Sequence, residues 1–416
     1  MRSPVVPLLL AIAVPTTALA QDAPAKDREV VVTGLRLSET ERALRDCIAR
    51  KCPADQEIAA TLQHAENLFV AGDYETARSV LRQGRDRNRR FAAAYPTQVA
   101  TLLRAGSRVA VHLGDNDEFR LGAIDSLGAL KAGLPADDWR LLGGRLEIAD
   151  AFAHLGRYQA AEDYYRDIAG DARRRHLPAI EGFARLRIVA LYENYAQGDP
   201  GTFAGAVKLA AKELIGRDDP AIRPFARAAE LILARQQARF GDLRPIDQLI
   251  ARYGDELRTT RPVLVYTPSL TFLDEILPRA EGGNSLRGLS QAVTGQWIDV
   301  TFFVQPNGQV SGVDLLRASP GLRRQDWSQL VMSGIKRRRY LPLKLDPGDP
   351  GLRRVERYTL TASISNGTAE VAQTENFRPK GRSRRLSDTP HIEYLDLSID
   401  PALPAAIGDK ADGQSI

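Results

Sequence analysis

Gly295-Gln-Trp-Ile-Asp-Val-Thr-Phe-Phe-Val-Gln-Pro-Asn-Gly-Gln-Val-Ser-Gly-Val-Asp-Leu-Leu-Arg317 is the stretch from which the C-terminal fold can be read. Two β-prone runs flank Pro306-Asn307-Gly308. Asn-Gly between apolar runs signals a hairpin, because both residues tolerate a positive φ. In the first run Ile298, Val300, Phe302 and Val304 share one face, and Asp299 and Thr301 point the other way. Trp297 and Phe303 make that second face partly apolar. In the second run Val313 and Leu315 share a face. Val310 is out of phase with them, and Gly312 suits a bulge.

Downstream, Trp327, Leu330, Val331 and Ile335 fall on one stripe of a 3.6-residue period, so a helix is expected. It ends in Lys336-Arg337-Arg338-Arg339, cations suited to the negative end of the helix dipole, and Pro342 stops it. After the turn-rich Asp346–Gly351, a third strand is expected over Val355–Ile364, where Tyr358, Leu360, Ala362 and Ile364 alternate. The order strand, hairpin, strand, helix, strand describes a small β-β-α-β, α+β unit.

This unit resembles the C-terminal domain of the TonB energy transducers. The resemblance rests on Val300–Val304, Asn307-Gly308-Gln309-Val310, Val313–Ser319, the Trp327 helix, Arg339-Tyr340-Leu341-Pro342 and Arg354–Thr359. It covers residues 295–364 of 416. It implies a periplasmic domain that pairs strand to strand with the TonB box of outer-membrane receptors. The third strand, with Val355, Arg357, Tyr358, Thr359 and Leu360, is then the candidate partner edge. Lys336, Arg337, Arg338 and Arg339 are a candidate basic surface, read either as facing an acidic partner or as a solvated helix end.

The N-terminus departs from a transducer. Residues 1–20 read as a cleavable export signal: Arg2, an apolar run from Val5 to Val14, and Ala18-Leu19-Ala20 before Gln21. The signal cleavage site is thus expected between Ala20 and Gln21, and the mature chain is expected in the periplasm. The alternative is an uncleaved inner-membrane anchor, but the run is short for a span of about 20 residues and Pro7 and Pro15 interrupt it. The transmembrane helix and the long proline-rich spacer that energy coupling needs in that family are not legible. Residues 29–36, Glu-Val-Val-Val-Thr-Gly-Leu-Arg, resemble the segment that opens TonB-dependent receptor plugs. They can also be read as an ordinary β-prone run near a terminus.

Residues 55–257 are helical in pattern and repeat. Gly72, Gly114, Gly156, Gly198 and Gly241 each follow a helix-like run, at spacings of 42, 42, 42 and 43 residues. That period marks a solenoid of helical hairpins. Each glycine is expected to end the first helix of a hairpin in the left-handed conformation, which costs glycine no Cβ clash. Ala77, Ala160 and Ala161 allow close helix packing. The Ala-Gly-x-Tyr-x-x-Ala form at Gly72, and its close relative at Gly156, resemble tetratricopeptide repeats of unusual length. Such repeats imply peptide or protein binding; a spacer is the other reading.

The domain plan is therefore a signal (1–20), an N-terminal segment (21–54), an α-solenoid (55–257), a linker (258–294), the TonB-like α+β domain (295–366) and a mostly disordered tail (367–416). Cys47 and Cys52 are a disulfide candidate in an oxidising compartment, with two free thiols as the alternative. The charge of +5, or +4 after loss of Arg2, together with export, argues against nucleic acid. His64, His112, His154, His176 and His391 stand in no metal-ligand spacing, and His112 and His154 share a repeat register. Ser333-Gly-Ile-Lys336 lacks the companions of an acylating enzyme. No catalytic residue, metal or cofactor is expected. The functional expectation is a non-enzymatic periplasmic adaptor, linked to TonB-dependent transport through a receptor partner. The alternative is a general envelope scaffold whose TonB-like domain does not bind TonB boxes.

Overall fold

The computed structural model describes residues 36–238, 242–253, 260–268, 295–320, 322, 327–346, 348–365 and 385–398. The expected export signal and Ala20–Gln21 cleavage site, most of the Glu29–Arg36 segment and Gly241 lie outside the described residues. So do residues 269–294, 366–384 and 399–416. The described chain is helix-rich and closes with an antiparallel sheet.

The helices are α1 (Leu37–Ala49), α2 (Ala54–Ala71), α3 (Tyr74–Asn88), α4 (Pro96–His112), α5 (Asn116–Gly133), α6 (Arg140–His154), α7 (Tyr158–Arg174), α8 (Pro178–Gly198), α9 (Pro200–Ile215), α10 (Arg223–Ala238) and α11 (Arg244–Tyr253). From α2 to α9 they form successive hairpins, α2 with α3, α4 with α5, α6 with α7, and α8 with α9. The hairpin turns combine a stop and a start. Gly72, Gly114 and Gly156 are left-handed, with φ of 86°, 70° and 72°. Beyond each, the next amide reaches back five residues, as in Asp73 N–H to Leu68 O at 2.9 Å and Asp115 N–H to Ala110 O at 2.9 Å. This closes the last turn of the first helix. Asp73 then accepts from Thr76 N–H at 3.1 Å and Asp115 from Glu118 N–H at 3.0 Å, capping the second helix.

The fourth turn differs from expectation. Gly198 is the last residue of α8, and the turn is made by Asp199, extended at φ −136°, ψ 80°. Pro200 explains this. A residue before proline is pushed out of the helical region, and proline at the first helical position starts α9. The helix therefore breaks without a left-handed glycine.

The C-terminal elements are β1 (Leu264–Tyr266), β2 (Gln296–Val304), β3 (Val310–Ala318), α12 (Trp327–Lys336), β4 (Arg339–Tyr340), β5 (Leu352–Ser365) and β6 (Arg385–Asp396). The main sheet has the antiparallel order β3-β2-β5-β6, and β1 pairs with β4 separately. In the β2–β3 turn only Gly308 is left-handed, at φ 79°. Gly308 N–H closes onto Gln305 O at 2.8 Å, with Pro306 and Asn307 in the middle of the turn. Proline favours that second position of a common turn, so Asn307 needs no positive φ. Gly308 also admits β4: its carbonyl accepts from Tyr340 N–H at 2.8 Å, and a Cβ there would collide with the Tyr340 backbone. The β2–β3 register slips between Thr301 and Phe303, opposite left-handed Gly312, which is the bulge expected there.

Both sheet faces are covered. On one, Ile298, Val300, Phe302 and Val304 pack with Trp327, Val331 and Ile335 of α12. On the other, Trp297 and Leu395 belong to the core of the first hairpins, with Phe69, Tyr74 and Leu113. The far end of the array reaches the same region, where Ala234, Ala238, Ile246 and Leu249 pack with Val265 and Leu341. The helical array thus touches the sheet region at both of its ends.

Candidate functional site

The third strand was expected to offer a free edge. It does not. β5 is paired along β2 on one side, from Gln296↔Leu360 to Val304↔Leu352, and along β6 on the other, from Glu356↔Asp396 to Ser365↔Arg385. Val355, Arg357, Tyr358, Thr359 and Leu360 therefore sit in the sheet interior. The tail supplies the covering strand, which corrects the expectation of a mostly disordered segment for residues 385–398. Leu397 N–H continues the pairing onto Val355 O at 2.8 Å. The sheet's edges are β3 and β6.

What the chain assembles instead is a buried polar joint between sheet and helices, centred on Arg357. The side chains of Arg357 and Asp299 are both fully buried. Arg357 Nε donates to Asp299 Oδ1, and Nη2 donates to Oδ2 at 3.0 Å. Nη2 also donates to Val70 O at 2.7 Å, and Nη1 to Phe69 O at 2.9 Å and to Tyr74 Oη at 3.4 Å. All five N–H groups of the guanidinium thus have an acceptor. The two carbonyls belong to the last turn of α2, where the helix dipole is negative; Phe69 O also accepts from Gly72 N–H at 2.9 Å. Trp297 lies over the guanidinium, 3.9 Å from ring centroid to Cζ. Arg317 Nε supports Asp299 Oδ2 from β3 at 2.8 Å.

The repeat turns are built into this joint. A Cβ on Gly72 would overlap the Trp297 indole, so this glycine serves the docking as well as the turn. Thr359 Oγ1 meets Tyr74 Oη at 2.9 Å and His112 Nδ1 at 3.0 Å. Burial raises the Tyr74 pKa. Burial lowers that of His112 to about 4, with Glu393 opposing and Arg108 and Arg357 adding to the shift. His154, one repeat on, meets Glu393 of β6 at 3.4 Å. The shared register of the two histidines therefore places both against the sheet.

The candidate basic surface is divided. Lys336 and Arg337 are exposed. Arg338 turns inward: it donates to Glu356 Oε2 at 2.6 Å and to Tyr358 Oη at 2.8 Å, and Glu356 is buried. Arg339 pairs with Asp247 of α11 at 3.1 Å. A buried carboxylate holds Arg338 because an uncompensated charge there would be costly. Arg354 is likewise buried and pairs with Asp396 of β6.

Cys47 and Cys52 are joined in a disulfide, with their Cα atoms 5.2 Å apart, closing the turn between α1 and α2. Ser333 and Lys336 lie exposed on α12. Among the described residues no cluster of three or more His, Cys, Asp or Glu is placed to hold a metal, and no helix is long and apolar enough to cross a membrane.

Sequence reasoning missed the partners of Arg357, since no pattern links residue 357 to residues 69, 70 and 74. A signal was present for Asp299, the one ionisable residue in the run Gln296–Val304. The helix-capping role of Asp73, Asp115 and Asp199 was also readable, in the recurrent Gly-Asp of the repeat turns. No protein-family model and no curated protein matches the chain.

Proposed function

We propose that the protein is an exported, non-enzymatic interaction scaffold of the cell envelope, in which tetratricopeptide-like repeats and a TonB-like sheet work as one body. The observation that supports it is the joint at Arg357, which ties β5 and β2 to the last turn of α2 with every donor used. A sheet held in this way presents a composite surface, with the helical hairpins as the accessible part. The export half of the reading rests on the Ala18-Leu19-Ala20 signal pattern and agrees with the Cys47–Cys52 disulfide, since such bonds persist in oxidising compartments.

The receptor-adaptor reading requires strand addition at β5, and β6 occupies that place. In the scaffold reading the sheet does not take up TonB boxes. A synthetic peptide of residues 28–36, which carries the receptor-plug-like Glu-Val-Val-Val-Thr-Gly-Leu-Arg, tests the difference by fluorescence anisotropy. The expected outcome is no saturable binding to the full chain. Saturable binding that a chain ending before Arg385 strengthens would instead establish the adaptor.

A further inference from the structure

The second helices of the hairpins flank first helices, α3 and α5 beside α4 and α7 and α9 beside α8, and the two grooves carry opposite character. At one end, α7 and α9 flank α8 and leave a groove of about 260 Å³. Its lining is made small by Gly170, where an added Cβ would meet only the tip of Arg174. Leu209 stands at its lip and is 63% exposed. Three arginines, Arg166, Arg173 and Arg185, line it against one carboxylate, Glu213. Arg166 is engaged by Glu162 and Arg185 by Glu181. The Arg173 guanidinium is exposed and has no side-chain partner among the described residues.

At the other end, Asp117, Leu121, Ile124, Asp125 and Gly128 of α5 follow one helical stripe. Leu121 and Ile124 are exposed large apolar side chains. A cavity of about 500 Å³ beside them is lined by four carboxylates, Asp115, Asp117, Glu118 and Asp125, against two arginines. Glu118 is held by Arg82 at 2.7 Å, whereas Asp125 is exposed without a side-chain partner among the described residues.

The second helices therefore hold an acidic-apolar face and an arginine-rimmed apolar groove, each with an uncommitted charge, and stacking of the hairpins sets them in one row. We infer that this row is a self-association face, on which α5 of one copy seats in the α7–α9 groove of a second copy and the reverse contact forms at the same time. A two-fold axis near the middle of the row brings both complementary pairs together, and such a contact closes as a dimer rather than growing into a filament. Apolar contact of Leu121 and Ile124 with Leu209 supplies the desolvated centre, and Asp125 with Arg173 sets register and partner.

The test is sedimentation velocity of the full chain and of charge-reversed variants. Arg173 and Asp125 are both exposed, so neither change disturbs the core, and circular dichroism checks this. The wild type is expected to dimerise reversibly, more weakly as salt rises. Arg173→Glu and Asp125→Arg are each expected to weaken dimerisation by at least about tenfold. Mixing the two variants restores a dimer, because in the mixed pair each site again meets its opposite charge. A wild type that stays monomeric at its highest soluble concentration overturns the inference and leaves the groove to another protein. Single variants that dimerise normally, or a mixture that stays monomeric, overturn it equally.

Discussion

At His112 a single side chain links pH to the fold. It is buried at the joint between α4 and β5, and burial lowers its pKa to about 4 from 6.5. The unfolded chain then binds more protons than the folded one between those values, so stability rises with pH across that window. The contribution is complete above pH 6.5 and is lost as pH falls toward 4. It amounts to roughly 3 kcal/mol, from about 1.4 kcal/mol per unit of pKa. His64, also lowered by burial, acts in the same direction. Urea midpoints measured from pH 4 to pH 7 should rise with pH. His112→Gln should flatten much of that rise; an unchanged slope would assign the dependence to other groups. His112 did not stand out by its neighbours in sequence, because its lowered pKa comes from burial under a strand 247 residues away, whereas His64 is buried beside Thr40 of α1.

Among the elements, β6 decides most about the sheet. It pairs with β5, buries Leu395 in the core of the first hairpins and brings Asp396 to the buried Arg354. A chain ending before Arg385 removes Asp396 from Arg354, Leu395 from the core and the β6 pairing from β5. Breaking a buried ion pair typically costs about 3–5 kcal/mol. The truncated chain should therefore unfold at lower denaturant, and the β5 amides that face β6 should exchange faster with solvent. Unchanged midpoint and exchange would mean that β6 contributes little to the folded state. The strand was hard to read beforehand. Asp388, Pro390 and Asp396 depress β-propensity in the tail, and the sequence names no partner for the strand. By contrast, α2, α4 and α6 were legible to within a few residues, because their apolar period and the terminal glycine act locally.

For the molecule as a whole, the joint at Arg357 makes sheet and helices cooperate. The wild type should unfold with coincident transitions by far-ultraviolet circular dichroism and tryptophan fluorescence, the mark of a single cooperative step. Arg357→Ala leaves Asp299 buried with only Arg317 and takes the Arg357 donor from the Val70 carbonyl, while Phe69 O keeps the Gly72 N–H at 2.9 Å. It should lower the unfolding midpoint and separate the two transitions. Arg357→Lys should not rescue, since a lysine ammonium has three donors and no planar fork. Coincident transitions in Arg357→Ala would show that apolar packing of Trp297 and Leu395 suffices for the coupling. Within the segment expected to link helices and sheet, β1 pairs with β4.

The sequence alone determined what depends on near neighbours. The 42-residue spacing marked the hairpins, and left-handed Gly72, Gly114 and Gly156 each close a turn through the adjacent backbone. Alternation placed Ile298, Val300, Phe302 and Val304 on one buried face. Tertiary structure decided what depends on residues far apart. It determined that β5 with Arg357 is interior rather than an edge, that Arg338 is a core residue rather than a surface cation, and that repeat turns meet the second face of the sheet. The physical reason is range. Helix period, caps and turns are satisfied within a few residues, but a buried charge is stable only where distant partners converge, and Asp299, Tyr74 and two α2 carbonyls meet Arg357 only once the chain has closed on itself.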